Sequence, residues 1–409
     1  MELSNNGGGA APVQVIDPSE TETYATVKAL LDDSTPRDVW EPLHLEAVRD
    51  HVNNLNSIVQ PTDLERPLDQ AFFRYDSDGF GTLSFADISG GMREGMRMTK
   101  WALTQLAQKV LPGNGLKFME GLRRLGETGR SMSEINWAIF LREQIKPSKV
   151  RTLFLPHHGH TIRAVVSQQY ATTDNIDVLN ALLESPIARE LPVLSIKVTE
   201  DALRIRLGLD PEGPTDDSME TLRTHGPIPM LEIWNGETGR SSTNGRAGLW
   251  KLVCLNGMTG FDSGGMNYRW IHSGGAGRTE EVQNGVKEML EASQIKTSGT
   301  VEAYKVAQDT AVQNAKVLLM AWSSDMAMKL TQEQTYRSID ALDDPTTTPG
   351  GSLASVVDGI TLAAQAEQDM FSQFKMEQFA GRVMARGLRE AKNGKLDNIV
   401  DLGADTQSN

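Results

Sequence analysis

The spacing of apolar residues changes along the chain and separates helical from strand-rich regions. In MTKWALTQLAQKVL (residues 98–111), apolar side chains recur every three to four residues, which predicts one buried face of a helix. The residues of that face are Trp101, Leu103, Leu106 and Val110. Thr99 is a suitable N-cap, and Pro112 with the following glycine suits the end of the helix.

Between residues 149 and 278 the period of the pattern falls to two, as in strands. TIRAVVSQQY (residues 161–170) is rich in β-branched side chains, and VLSIKVTED and ALRIRLGLD (residues 193–210) alternate around a turn near Glu200, which predicts a hairpin. DNIDVLNALLES (residues 174–185) predicts a helix between them. Adjacent hairpins favour an antiparallel sheet over a doubly wound parallel one.

Residues 279–391 are rich in Ala, Met, Gln and Glu, which favour helices. Their methionines are expected to pack in a core rather than to form a self-association surface; they include Met320, Met326, Met328, Met370, Met376 and Met384. The predicted fold is therefore α+β, with a mainly antiparallel sheet module flanked by helical regions. The predicted segments are a disordered tail (1–20), a mostly helical region in which one short hairpin could form (21–148), the sheet core (149–278), a helical region (279–391) and a second disordered tail (392–409).

Composition limits the environment and the partners. The formal net charge is −14, so the chain has no global positive field that would capture nucleic acid. Its single cysteine, Cys254, rules out an intramolecular disulfide and favours a reducing compartment. The sequence has no apolar run of bilayer length and no secretory signal at its start, so we expect a cytoplasmic protein without a membrane partner.

Three residue groups resemble chemical sites without completing them. Asp76, Asp78 and Asp87 match positions 1, 3 and 12 of a calcium loop, but Phe80 replaces a ligand and the flanks alternate as in a hairpin. The cluster of His157, His158 and His160 lacks a suitably spaced cysteine or carboxylate, which favours a solvated loop over a metal site; contact with a phosphate or partner is an intermediate option.

The other possible reactive group is Cys254 with Asn256 and His272 as nucleophile, orienting residue and base. In WKLVCLNG the cysteine alternates with Leu252, which favours a buried core thiol. The sequence contains neither a GxxxxGK[ST] phosphate loop nor a GxSxG element. We therefore expect no enzyme activity, no metal and no cofactor.

Basic and aromatic residues cluster on the predicted loops of the sheet. Cations contact phosphates, and exposed aromatic rings stack unpaired bases at about 1–3 kcal/mol each. The candidate nucleic-acid contacts are Arg151, Arg163, Arg240, Arg246, Lys251, Tyr268, Arg269, Trp270 and His272. Composition alone favours, by a narrow margin, an ordinary hairpin tip whose aromatic side chains point into the core. Burial of these cations against carboxylates would count against nucleic-acid binding.

The segments IWNGETGRSS, GLWKLVCLNGM and RWIHSGG, together with the upstream SQQY, resemble a family of phage- and plasmid-like proteins catalogued as a domain of unknown function, number 932. The similarity covers about residues 99–277, with Gly236 standing where the family pattern has serine. The residues that carry the motifs include Ser167, Tyr170, Asn235, Glu237, Gly239, Cys254, Asn256, Gly257, Arg269, His272 and Gly274. The resemblance implies a gene of a bacteriophage, plasmid or integrated element in a prokaryotic host, and it assigns no activity or catalytic residue.

Two hypotheses of different classes follow, with a third ranked last. The first is a non-enzymatic phage or mobile-element protein that binds single-stranded DNA as a homo-oligomer and supports annealing or recombination. The second is a structural or host-interaction protein without nucleic-acid binding, which the negative charge favours. The third is a hydrolase or nuclease that uses His157, His160 and acidic residues, and it ranks last because no set of ligands is complete.

Overall fold

The computed structural model describes most of the chain between residues 44 and 396. The described residues are 44–59, 62–66, 71–75, 81–85, 95–110, 113, 117, 148–155, 159–170, 173–198, 202–209, 228–251, 256–259, 267–270, 278–325, 329–344, 351–367 and 369–396. Several predictions lie outside them: the calcium loop with Asp76, Asp78 and Asp87, the histidines His157 and His158, the thiol of Cys254, the first tail (1–20) and residues 397–409 of the second tail. Residues 392–396, the start of the second predicted tail, are described: Lys392 ends a helix and Leu396 is buried, which corrects the prediction of disorder there.

The first sheet has six strands in the order β1-β5-β6-β4-β3-β2. They are β1 Thr62–Arg66, β2 Ala71–Tyr75, β3 Gly81–Phe85, β4 Met96–Met98, β5 Ser148–Leu155 and β6 Gly159–Ser167. Neighbours are antiparallel except β4 and β6, which are parallel. The first two helices are α1 (Leu45–Val59) and α2 (Lys100–Val110). Leu106, on the predicted apolar face of α2, is buried against Leu83 and Ile162 of this sheet.

The second sheet is antiparallel throughout, in the order β11-β10-β9-β8-β7, with β12 also paired to β10. Its strands are β7 Val193–Val198, β8 Leu203–Gly208, β9 Ile228–Asn235, β10 Thr243–Lys251, β11 Asn256–Thr259 and β12 Asn267–Trp270. The chain reaches it through α3 (Asn175–Glu184) and α4 (Pro186–Arg189) and leaves through α5 (Arg278–Asp309).

Alternation along β8 gives the second sheet one apolar and one charged face. Leu203, Ile205 and Leu207 pack with β9, α1, α3 and α5 in one core cluster. Arg204 and Arg206 fall at the alternate positions and therefore project from the opposite face. Both faces of β8 are buried, so the charged face is covered by another element.

That element is the last described helix. The C-terminal helices are α6 Ala315–Asp325, α7 Gln332–Asp340, a 3₁₀ turn at Ala341–Asp343, α8 Leu353–Gln365 and α9 Met370–Lys392. One side of α9 packs with α8 around Phe379 in a helical core, and the other side faces the charged side of the second sheet. Met376 and Met384 are buried there as predicted, whereas Met320 is 51% exposed, which corrects its assignment to the core.

The predicted α+β class with mainly antiparallel sheets is confirmed. The predicted hairpin is present, since Val198 pairs with Leu203. The expected boundary near residue 148 falls at the start of β5, although β5 pairs with β1 from the preceding region. The described residues between 62 and 98 form four strands where one hairpin was expected. Among the described residues, no helix combines the length and apolar character needed to cross a bilayer.

Candidate functional site

The turn that follows β9 joins the two sheets, and we call residues 235–239 the joint. The amide of Gly239 donates to the carbonyl oxygen of Gly236 at 3.3 Å, which closes a tight turn. Gly239 has a φ of 76°, a left-handed conformation that glycine adopts without a Cβ penalty. The joint is held by residues of β5, β6, α2 and α3, so it connects elements that are distant in the sequence.

Glu237 is the charged centre of the joint and is only 7% exposed. Its Oε2 accepts a hydrogen bond from Nη1 of Arg163 in β6, and its Oε1 accepts from the backbone amide of Asn175 in the first turn of α3, both at 2.5 Å. A carboxylate forms strong hydrogen bonds with a guanidinium and with the amides at a helix N-terminus, so both contacts hold Glu237 in place.

Arg151 of β5 contacts the same turn. Its Nη1 donates to the carbonyl oxygen of Glu237 at 2.5 Å, and its Nη2 donates to Oδ1 of Asp174, the N-cap of α3, at 2.7 Å. Arg151 and Arg163 are each 3% exposed. Two buried arginines of the first sheet therefore bind the joint through hydrogen bonds to Glu237.

Neutral hydrogen bonds complete the joint. The Nδ2 of Asn235 donates to the carbonyl oxygen of Thr173, and its Oδ1 accepts from the hydroxyl of Thr243, at 2.9 and 2.7 Å. On the α2 side, the indole Nε1 of Trp101 and the amide Nε2 of Gln105 donate to the carbonyl oxygen of Thr238 at 3.2 and 2.8 Å. The joint is thus tied to α2 as well as to both sheets.

Tyr170 closes the joint from the end of β6. Its hydroxyl donates to the carbonyl oxygens of Gly236 and Glu237, each at 3.2 Å. Burial raises the pKa of the Tyr170 hydroxyl, and the charge of Glu237 adds to this, although Arg151 and Arg163 oppose it. The hydroxyl therefore stays protonated as a donor in the folded protein.

Tyr170→Phe is expected to lower the free energy of unfolding by about 1 kcal/mol at pH 8, because a buried donor is lost from two carbonyl acceptors. An unfolded tyrosine ionises near pH 10, while folding raises the pKa of Tyr170, so this group stabilises the fold below pH ~10 and loses that contribution as the pH rises. Urea unfolding at pH ~8 and ~11 checks this. The difference in free energy of unfolding between the unchanged protein and Tyr170→Phe should be smaller at the higher pH. A constant difference would contradict the role of the Tyr170 hydroxyl as a buried donor.

Four of the residues expected to carry the family motifs meet in this joint: Tyr170, Asn235, Glu237 and Gly239. Asn256 and Gly257 lie in β11, where they pair with Lys251 and Trp250 at the other end of β10. The motif residues at the joint therefore have a structural role, the connection of two sheets.

A second buried charge cluster fixes α9 on the second sheet. Nε of Arg204 and Nε of Arg206 donate to Oε2 of Glu232 at 2.7 and 3.0 Å, and Arg206 Nη2 donates to Oε1 of Glu377 in α9 at 2.7 Å. Arg204 also pairs with Glu377. All four side chains are at most 4% exposed. Burial opposes ionisation of Glu232, but the two arginines outweigh it and lower its pKa.

Two arginines and four aromatic rings contact one another in succession beside this cluster, next to the first turns of α9. We call this set the cation–aromatic row, and it consists of Trp101, Arg240, Phe371, Trp234, Phe374 and Arg246. The Arg240 guanidinium lies 3.8 Å from the ring centroid of Phe371 and 5.7 Å from that of Trp101. Arg246 lies 4.7 Å from the ring centroid of Phe374.

The aromatic members contact one another directly. The ring centroid of Trp234 is 4.8 Å from that of Phe371 and 4.7 Å from that of Phe374, and these contacts make the row continuous. Trp101, Arg240, Arg246 and both phenylalanines are partly exposed, whereas Trp234 is 3% exposed. The row therefore has a buried centre and a surface accessible to solvent.

Among the described residues that interact with the row or with the buried cluster beside it, cations outnumber carboxylates. The cations are Lys197, Arg204, Arg206, Arg240, Arg246 and Arg382. The carboxylates are Glu232, Glu377 and Asp369. Burial lowers the pKa of Arg246, and its Nε has no hydrogen-bond partner within the described part of the chain. Burial, together with Arg204, also lowers the pKa of Lys197.

The structure separates the predicted nucleic-acid contacts into three groups. Arg151 and Arg163 are buried and bound to carboxylates, which corrects the prediction that they contact phosphates. Arg240 and Arg246 meet in the cation–aromatic row. The structure does not describe the side chains of the remaining predicted contacts, which are Lys251, Tyr268, Arg269, Trp270 and His272.

Other residues of the row were not predicted. Trp101 was assigned to the apolar face of α2, and Phe371 and Phe374 to a helical region without chemistry. The one local indication was the alternation of arginines in LRIRLG, which is typical of a strand with one charged face. Because buried charges are paired, such a face requires a carboxylate such as Glu377 opposite it. Within the described ranges, no cluster of three or more His, Cys, Asp or Glu residues could hold a metal ion.

In comparisons with protein-family models, curated proteins and solved structures, no match was found. The resemblance to the phage- and plasmid-like family therefore stays a prediction that rests on the motif residues alone.

Proposed function

We propose that the protein binds single-stranded DNA without enzymatic activity, through the exposed side of the cation–aromatic row. The observation that carries this proposal is the continuity of the row, in which guanidinium groups lie on aromatic rings at 3.8 to 5.7 Å. Single-stranded DNA offers two complementary features, phosphates for the cations and unpaired bases for stacking on rings.

The local charge supports the same proposal. The whole chain carries −14, which disfavours nonspecific attraction of a polyanion. The excess of cations around the row provides a restricted region of opposite sign. Because contacts with phosphates release counterions, binding at this region should weaken steeply with salt.

The biological setting follows from the family resemblance and belongs to the same proposal. A phage or mobile-element protein of this kind would act in strand annealing or recombination inside a prokaryotic cell, as a homo-oligomer. The competing hypothesis, a structural or host-interaction protein, predicts no oligonucleotide binding at low salt.

Arg240→Ala is expected to weaken binding of a labelled oligo-dT of about 30 nucleotides by about three- to tenfold at ~50 mM salt, which corresponds to about 0.7–1.4 kcal/mol. The loss combines one phosphate contact with one stacked guanidinium. Fluorescence anisotropy at ~50 and ~200 mM salt measures it, and the slope of log affinity against log salt should fall by about 0.7.

Arg386→Ala is the matched control. Arg386 is 24% exposed, pairs with Asp325 at 2.9 Å and lies 4.7 Å from the ring centroid of Trp322, so it repeats the surroundings of Arg240 away from the row. This variant should bind like the unchanged protein. Equal losses in both variants, or no binding at ~50 mM salt, would refute the proposal.

A further inference from the structure

The Arg240 guanidinium already holds an anion that belongs to the protein. Its Nη2 pairs with Oδ1 of Asp369 at 3.1 Å, just before the first turn of α9. The side chains of Arg240 and Asp369 are 29% and 44% exposed, so solvent reaches the pair. An exposed ion pair of this kind is weak and exchanges its partners easily.

The two carboxylate oxygens of Asp369 bind different partners. Oδ2 caps α9 by accepting from the backbone amide and hydroxyl of Ser372, at 2.9 and 3.0 Å. Oδ1 faces Arg240. Asparagine is as good an N-cap as aspartate, so the charge can be removed while the cap is kept.

We propose that Asp369 is an intramolecular competitor of the nucleic acid and sets the affinity of the cation–aromatic row. Its carboxylate occupies the guanidinium that a phosphate would take, and it repels a phosphate that approaches the row. A bound strand displaces Oδ1 from Arg240, while Oδ2 continues to cap α9. This inference rests on the proposed binding of single-stranded DNA.

The charge balance explains why one carboxylate can have this effect. Glu232 and Glu377 are at most 1% exposed and are engaged by Arg204 and Arg206, so they are fixed within the fold. Among the carboxylates named around the row, Asp369 alone is both exposed and paired with a member of the row. It is therefore the carboxylate that a ligand can displace without unfolding the protein.

Asp369→Asn is expected to bind the same oligo-dT about three- to tenfold more tightly at ~50 mM salt, and the gain should shrink at ~200 mM because salt screens the removed charge. Asp325→Asn is the matched control, since it removes a carboxylate from the equivalent pair with Arg386. It should leave the affinity unchanged. Adding Arg240→Ala to Asp369→Asn should reduce the gain to the smaller part that comes from the removed repulsion.

The outcomes distinguish this inference from the proposed function. If the unchanged protein binds in a manner that depends on Arg240 but Asp369→Asn gives no gain, or the same gain as Asp325→Asn, the inference is wrong and the proposed function stands. If neither the unchanged protein nor Asp369→Asn binds, both fail. If the melting temperature of Asp369→Asn falls, Asp369→Ser, which keeps a capping hydroxyl, replaces it. The affinity of Asp369→Ser is then compared with that of Asp325→Asn in the same way.

Discussion

Replacing Glu237 by Gln is expected to lower the free energy of unfolding by about 3–5 kcal/mol, because it leaves Arg163 buried without its counter-charge. Arg163 is 3% exposed, and its Nε and Nη2 have no hydrogen-bond partner within the described residues. The carboxylate is therefore the compensation that makes burial of this guanidinium tolerable. The substitution also removes the negative charge at the N-terminus of α3.

Denaturant unfolding followed by far-UV circular dichroism measures this effect. Glu333→Gln is the matched control, because Glu333 also pairs with an arginine, Arg337, but at 3.7 Å and with its side chain 82% exposed. Such a surface pair contributes at most about 1 kcal/mol. A loss below about 1 kcal/mol for Glu237→Gln would show that the joint does not depend on this ion pair.

The effect should extend over both sheets, because the joint is the point where they meet. Elements from the first sheet, from α2 and from α3 all hold the turn that follows β9. Loosening this turn would remove hydrogen bonds that connect the first sheet to the second. The joint thus gives four motif residues a structural role.

Local patterns in the sequence were sufficient to predict individual elements. The i, i+3 spacing of α2 and the alternation of β7 and β8 depend on neighbouring residues only, and all three elements are present as expected. The assembly of the first sheet depends on pairs such as Thr62 with Thr152, which are distant in the sequence. Because no local period records such a pairing, the four strands described between residues 62 and 98 were not predicted beyond one hairpin.

The same distinction applies to the candidate site. Clustered cations are visible in a sequence, whereas the carboxylates that neutralise them are not. Glu237 pairs with Arg163 across 74 residues, and Glu377 pairs with Arg204 across 173 residues. Arg151 and Arg163 were therefore expected on a loop surface, although tertiary packing buries them. The aromatic partners of Arg240 were missed for the same reason.

Glu377→Gln is expected to destabilise the protein by about 3–5 kcal/mol, since Arg204 and Arg206 would then share the single charge of Glu232 in a buried site. Glu377 is fully buried, and its carboxylate accepts from Arg206 at 2.7 Å through both oxygens. Burial opposes the charge of Arg206, while Glu377 and Glu232 favour it and raise its pKa. Arg206 therefore depends on these two carboxylates to offset the cost of its burial.

Glu390→Gln is the control on the same helix, because Glu390 lies 3.9 Å from Arg386 at i+4 spacing, outside the buried cluster. Its removal should cost less than about 0.5 kcal/mol. A double-mutant cycle with Arg206→Met and Glu377→Gln then isolates the pair, with an expected coupling of about 1–3 kcal/mol. Equal effects of Glu377→Gln and Glu390→Gln, or a coupling near zero, would mean that apolar packing around Phe379 alone holds α9 on the second sheet. A large coupling would instead show that the charged face of the second sheet selects the position of α9, and thereby places Phe371 and Phe374 against Arg240 and Arg246.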